Sequence, residues 1–255
     1  MKELLLALPA GRETRGREFG LIPAHMAYRI GPGPRLLGIR LPQGLRGGLM
    51  QVDCAGFDGG GDPVDCCRQI LGECRRRSFR GIVCDFEGLP VGCLGRLVEI
   101  LGRNCAAQGW ALYVPECYAA QAPKARVLIP SALTHGTLER RLGEALERYG
   151  AGRAALAVEW VREEFPLPAR GRGKPIARET LEDMLRRLEP AVFFDRGLCA
   201  HYFTYTRGPQ AHFVLFDTPR SIREKLDLAQ RLEVEAALLP GPEVEGCMEE
   251  LFGAG

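Results

Sequence analysis

Asp53, Asp85, Glu87, Glu116 and Glu159 fall at or just past the ends of short apolar runs. Carboxyl groups placed this way can exchange protons or hold a cation, and their mutual spacing selects between those uses. Asp85 and Glu87 close a single run, Gly81-Ile-Val-Cys-Asp-Phe-Glu87. Side chains two apart on a strand share a face, so both should project together. Two like charges there raise the proton affinity of at least one carboxyl, the condition for a general acid near neutral pH. Spacing alone leaves another reading open, in which both are solvated or paired with arginines such as Arg80. Glu116 and Glu159, taken singly, fit solvated or ion-paired strand-end acids.

Other chemistries lack their residues. His25, His135, His201 and His212 do not cluster with a Ser or Cys at nucleophile spacing. The Gly56–Gly61 loop has no following Lys-Ser/Thr to cradle a phosphate. The 10 cysteines form no Cys-x-x-Cys pair and no Cys/His cluster, and Cys66, Cys67 and Cys74 recur at helical spacing. Buried thiols in a reducing compartment are the expectation, with neither zinc nor disulfides.

The acids must be positioned by the runs that carry them. Apolar segments at Leu4–Leu8, Ala24–Tyr28, Gly48–Asp53, Gly81–Phe86, Trp110–Val114, Arg126–Pro130, Ala154–Trp160 and Glu235–Leu239 read as strands. Leu36–Leu41 is a further extended piece beside the breaker Gly31-Pro32-Gly33-Pro34. Helical periodicity fills Asp62 to about Arg77, Val91–Gln108, Thr137–Tyr149 and Pro219–Leu232. This alternation over 255 residues predicts one (β/α)8 TIM barrel domain spanning 1–255. The unit 161–217 breaks the rhythm with a helix near Arg178–Leu188 and aromatic strands around an Arg207–Gln210 turn. It is expected to be a small α+β insertion between strand 7 and helix 7. In such a barrel the acids at strand ends would line the mouth.

Composition narrows the partners. Lys+Arg 34 against Asp+Glu 32 gives a net charge of +2, which provides no field to attract nucleic acid or an anionic membrane. No apolar run approaches the roughly 18 residues of a membrane span. The opening Met1-Lys-Glu-Leu-Leu-Leu-Ala-Leu-Pro9 lacks the form of a signal peptide, so a cytoplasmic location is expected. Nothing in the sequence sets an oligomeric state.

The run Arg80–Glu87 resembles the fourth-strand signature Asp-x-x-Asp-x-Asp-x-Glu of glycoside hydrolase family 18, the chitinase-like hydrolases. His201-Tyr-Phe-Thr-Tyr-Thr206 and His212-Phe-Val-Leu-Phe-Asp-Thr-Pro-Arg-Ser-Ile-Arg-Glu-Lys225 resemble that family's late segment, and the branch found in spore-cortex proteins of Gram-positive bacteria is similar too. The resemblance implies hydrolysis of a glycan of β-linked N-acetylhexosamine, of the peptidoglycan or chitin type. Glu87 would be the general acid/base and Asp85 would orient the substrate's acetamido group. It implies no metal and no organic cofactor, a carbohydrate partner, and an association with spores. Asp53, Glu116, Glu159, Trp160 and Tyr205 are the candidate substrate-binding residues, the two aromatics as stacking faces. Arg80 and Val83 stand at the first two Asp positions of the signature. Ile129–Thr134 has no Tyr-Asp, and Ala237-Leu-Leu-Pro240 has no Trp on the last strand. These departures motivate an alternative, a barrel that binds carbohydrate without turnover. A different barrel enzyme with a metal on Asp53, Asp85 and Glu116 is a third option.

Overall fold

A computed structural model describes residues 1–9, 11–12, 15–86, 92–133, 135–169, 171 and 173–253. Glu87 lies outside the described residues. The strands of the first half are β1 (Glu3–Pro9), β2 (Ile22–Gly31), β3 (Arg35–Gly38), β4 (Leu49–Asp53), β5 (Gly81–Asp85), β6 (Ala111–Pro115), β7 (Arg126–Pro130) and β8 (Ala154–Ala157). Then come β9 (Arg162–Pro166), β10 (Lys174–Pro175), β11 (Phe193–Asp195), β12 (Ala200–Arg207), β13 (Gln210–Phe216) and β14 (Ala236–Pro240). The helices are α1 (Val64–Arg76), α2 (Gly92–Gln108), α3 (Leu138–Tyr149), α4 (Arg178–Leu188), α5 (Pro219–Arg231), α6 (Gly241–Val244) and α7 (Met248–Phe252).

β1 pairs in parallel with both β14 and β2, which closes the ring β1-β14-β8-β7-β6-β5-β4-β2 into a barrel of eight parallel strands among the described residues. The closed (β/α)8 barrel expected from the alternating pattern is therefore present. One residue from each barrel strand fills a single interior layer: Leu5, Ala24, Leu49, Val83, Tyr113, Leu128, Ala155 and Ala236. Bulk is uneven across that layer, so Tyr113 fills what the alanines leave. The alternate residues face outward and pack under helices. Val52, Ile82, Cys84 and Leu112 meet Cys67, Ile70 and Cys74 of α1 and Leu97, Leu101 and Cys105 of α2. Val127, Ile129 and Leu156 meet Leu142 and Ala145 of α3 and Ile222 and Ala229 of α5. Each such leucine or isoleucine contributes about 1.5–3 kcal/mol by leaving water. Both faces of the barrel strands are thus mostly apolar, which is why the runs read as continuous.

A second, antiparallel sheet of order β10-β9-β13-β12-β11 is built between β8 and α5, with α4 packed on it through Leu181. Gly208-Pro209 makes the turn from β12 to β13. The first crossover is only a 3₁₀ turn at Arg15–Phe19, ending at Gly20 with φ of 74°. Two local expectations, the bounds of β2 and of β8, are corrected. β2 runs well past Tyr28, because β3 folds back on its outer half as a hairpin. β8 stops at Ala157, before Glu159, where the chain turns toward β9.

Candidate functional site

Side-chain alternation from the interior layer fixes what faces the mouth. Two residues beyond Ala24, Leu49 and Val83 come Met26, Gln51 and Asp85, and beyond Gln51 comes Asp53. β4 and β5 run in register, with Gln51 beside Val83 and Asp53 beside Asp85. A bulge between Met26 and Tyr28 shifts β2 by one residue and brings Arg29 level with Asp53. Arg29 grips Asp53 through Nε at 2.6 Å and Nη2 at 3.2 Å, and the Asp53 Oδ1 also accepts from the Ala55 N–H at 2.9 Å. The buried Gln51 donates its Nε2 to Oδ2 of Asp85 at 2.9 Å. Met26 is 40% exposed at this level, while Gln51 itself is buried.

Glu159 follows β8 at the inward parity of Ala155 and Ala157. Its Oε2 accepts from the Ala132 N–H at 2.9 Å, and its own N–H donates to Ser131 Oγ at 2.9 Å, which ties the ends of β7 and β8 together. Beside it Trp160 lines a cleft of about 260 Å³ with Ala132, Arg162, Glu163 and Ile176. Arg162 is fixed there by two bonds to Glu243, of 2.9 and 2.8 Å.

Two candidates lie elsewhere. Pro115 takes the inward position at the end of β6, and Glu116 enters a 3₁₀ turn that carries it toward α3. There Arg141 and the Tyr149 hydroxyl, at 3.2 Å, bind its carboxylate. Tyr205 belongs to β12, on the face of the second sheet that packs under α4. Its hydroxyl donates to Glu164 and its ring stacks on His212 at 4.9 Å. Burial first, then the bond to Glu164, push that phenol up to about 12. Asp53 and Asp85 are therefore brought together, Glu159 and Trp160 adjoin each other across the mouth, and Glu116 and Tyr205 are turned away from both.

Gln51 and Arg29 are the residues that sequence reading missed. The available signal was a lone amide at inward parity within the apolar run Leu49-Met-Gln-Val52. A cation has no assembled cage here, since no three His, Cys, Asp or Glu among the described residues group as metal ligands. Arg29 already neutralises Asp53, and Glu116 is on the wrong side of its strand. The thiols are equally unsuited to nucleophilic work. Burial pushes Cys66 and Cys105 up to about 12 and Cys67 up to about 11, and all the cysteines are free.

No known family profile and no curated protein matches the sequence. Solved structures do match. The spore cortex-lytic enzyme SleL of Bacillus megaterium QM B1551 is 16% identical with a TM-score of 0.66, over 98% of this chain and 74% of that one. A chitinase from Chromobacterium violaceum ATCC 12472 is 16% identical with a TM-score of 0.66, over 94% of both chains. A plant class V chitinase mutant from Cycas revoluta, solved in complex with (GlcNAc)3, is 12% identical with a TM-score of 0.60 over 98% of both. This chain has the fold of those chitinases. In that chitinase fold β5 is the fourth barrel strand in chain order, after β1, β2 and β4. Asp85 is the last residue of this strand, and its carboxylate is at the mouth.

Proposed function

We propose that the chain is a glycosidase that cleaves β-linked N-acetylhexosamine glycans of the peptidoglycan or chitin type. The observation that carries the reading is Asp85, a carboxylate ending the fourth strand of a chitinase-fold barrel, inward at the mouth and gripped by a buried amide. Glu87, two residues on, would protonate the glycosidic oxygen as the leaving sugar departs and later take a proton from the attacking water. Asp85 would accept the N–H of the substrate's acetamido group while that group's carbonyl oxygen attacks the anomeric carbon. Its negative charge then steadies the cationic ring that forms. Asp53, Glu159 and Trp160 would meet neighbouring sugar units. Glu116 and Tyr205 take no part, because α3 and Glu164 hold their polar groups. The chemistry requires neither metal nor organic cofactor. The likeness to SleL favours a spore-cortex glycan over fungal chitin as the natural substrate.

The test compares the parent with Glu87→Gln and Asp85→Asn on chitin-type oligosaccharides and on spore-cortex fragments, with released reducing ends as the readout. Each variant is expected to lose a factor of about 10²–10⁴ in turnover. A Glu87→Gln protein as fast as the parent overturns the reading. A second reading, binding without turnover, is favoured by Val83 and Leu238, apolar residues that face the barrel interior. Calorimetric binding of N-acetylglucosamine oligomers with no release of reducing ends would establish it.

A further inference from the structure

Gln51 sits in the middle of β4 and is 4% exposed. A buried amide is costly unless both of its ends are bonded, and here only one is. Nε2 reaches Oδ2 of Asp85 at 2.9 Å, whereas Oε1 has no partner among the described residues. An apolar side chain would pack this strand without that penalty, as Leu49 and Val52 do. What the amide adds is a donor aimed at one carboxyl oxygen. An amide carries no charge and does not titrate, so it cannot share a proton with Asp85 as a second acid would. A donor directed at a carboxyl favours the ionised form.

Other groups facing Asp85 act in both directions. Asp53, in register on β4, opposes ionisation of its neighbour, and Arg29 of β2 offsets that through its two bonds to Asp53. On β6 the residue paired with Val83 is Tyr113, whose hydroxyl is turned to Glu3 at the opposite end of the barrel. Glu87 comes two residues later in the sequence, outside the described residues.

We propose that Gln51 is a positioning residue whose amide fixes Oδ2 of Asp85 and holds that carboxyl ionised toward the mouth. Its effect on turnover rests on the glycosidase reading, whereas its hold on the carboxyl does not. The test follows the Asp85 carboxyl carbon by NMR through a pH titration in the parent, Gln51→Met and Gln51→Glu, with Asp85→Asn to assign the signal. Rates on chitin-type oligosaccharides are measured over the same pH range.

Gln51→Met is expected to raise the Asp85 midpoint by about one pH unit, a tenfold change in proton affinity. It should lower kcat about ten- to a hundredfold with KM within about threefold. Gln51→Glu keeps the shape but places two acids around one proton. Its titration should split into two steps, with activity falling as pH rises through the upper one. If Gln51 serves packing alone, Gln51→Met titrates like the parent, and that result overturns the proposal. A parent that releases no sugar ends the glycosidase reading, and the titrations still decide on Gln51.

Discussion

Asp217 is held by neutral and charged donors together, whereas Asp85 accepts from the neutral amide of Gln51. Asp217, 4% exposed at the end of β13, uses both oxygens twice. Oδ1 accepts from Ser221 Oγ at 2.6 Å and Lys225 Nζ at 2.8 Å, while Oδ2 accepts from the Val161 N–H at 2.8 Å and Lys225 Nζ at 2.7 Å. Lys225 is 1% exposed. Such a cluster has no capacity left for a ligand. At the mouth, by contrast, the amide that grips Asp85 keeps a buried, unbonded Oε1. A saturated buried network holds parts of the chain together, while an incomplete one carries a polar cost that packing alone does not explain. The trio at the barrel floor is intermediate, with Glu3 partly exposed and both bonds on one of its oxygens. There Glu3 takes the Tyr113 hydroxyl at 2.6 Å and Arg126.

Mutations should separate the two kinds. Lys225→Met strands the Asp217 charge in the interior and should cost about 3–5 kcal/mol, lowering Tm by roughly 10 °C in calorimetry. Asp85→Asn should reverse that pattern, losing about a hundredfold or more in turnover with under about 1 kcal/mol of stability by denaturant unfolding. Equal losses of stability from both variants would erase the contrast. Glu3→Gln should fall between, at about 1–2 kcal/mol after allowance for its partial exposure, with turnover unchanged.

The floor also makes an acid-side prediction. Burial pushes the Glu3 carboxyl up, but hydrogen bonds from Arg126 and Tyr113 outweigh it and leave the group below the usual carboxylate range. Its contribution is present above the unfolded value near ~4.3 and is lost as pH falls through the lower folded value. Glu3→Gln should flatten that part of the stability curve. The smallest effect concerns His25, which burial pushes down, with Arg17 adding to the shift and a backbone bond to Gly47 opposing it. Below its ordinary value near ~6.5 the unfolded chain takes up the proton first, so stability declines as pH falls. His25→Gln should remove this decline, worth under about 1 kcal/mol.

The sequence carried the barrel well, because apolar runs covered on both faces stand out against amphipathic helices. It carried the site less well. Whether a strand-end acid turns inward depends on a single residue of offset. Asp53 and Asp85 keep the parity of Leu49 and Val83, but Pro115 takes the inward place on β6 and sends Glu116 to α3. Arg29 was hidden by the bulge at Ala27, which no periodicity reveals. The late segment from His212 to Lys225 was the longest resemblance in the chain, and here it does structural work. Thr218 and Ser221 form a capping box that starts α5, and Asp217 and Lys225 make the buried pair. A long motif match can therefore mark residues that hold this chain together rather than residues that do its chemistry.

The carbonyl of Val161 accepts the Asp217 N–H at 2.8 Å, and the Asp217 carboxylate takes the Val161 N–H in return. The chain thus leaves the barrel and rejoins it at one stitched point, so the loop between is already closed whatever its length. Closure entropy then grows only slowly with added residues. The second sheet is nevertheless not a detachable part: Cys199 and Phe194 pack into the core beneath α3 and α5, and Arg162 binds Glu243 of α6, so any replacement must cover the same surface.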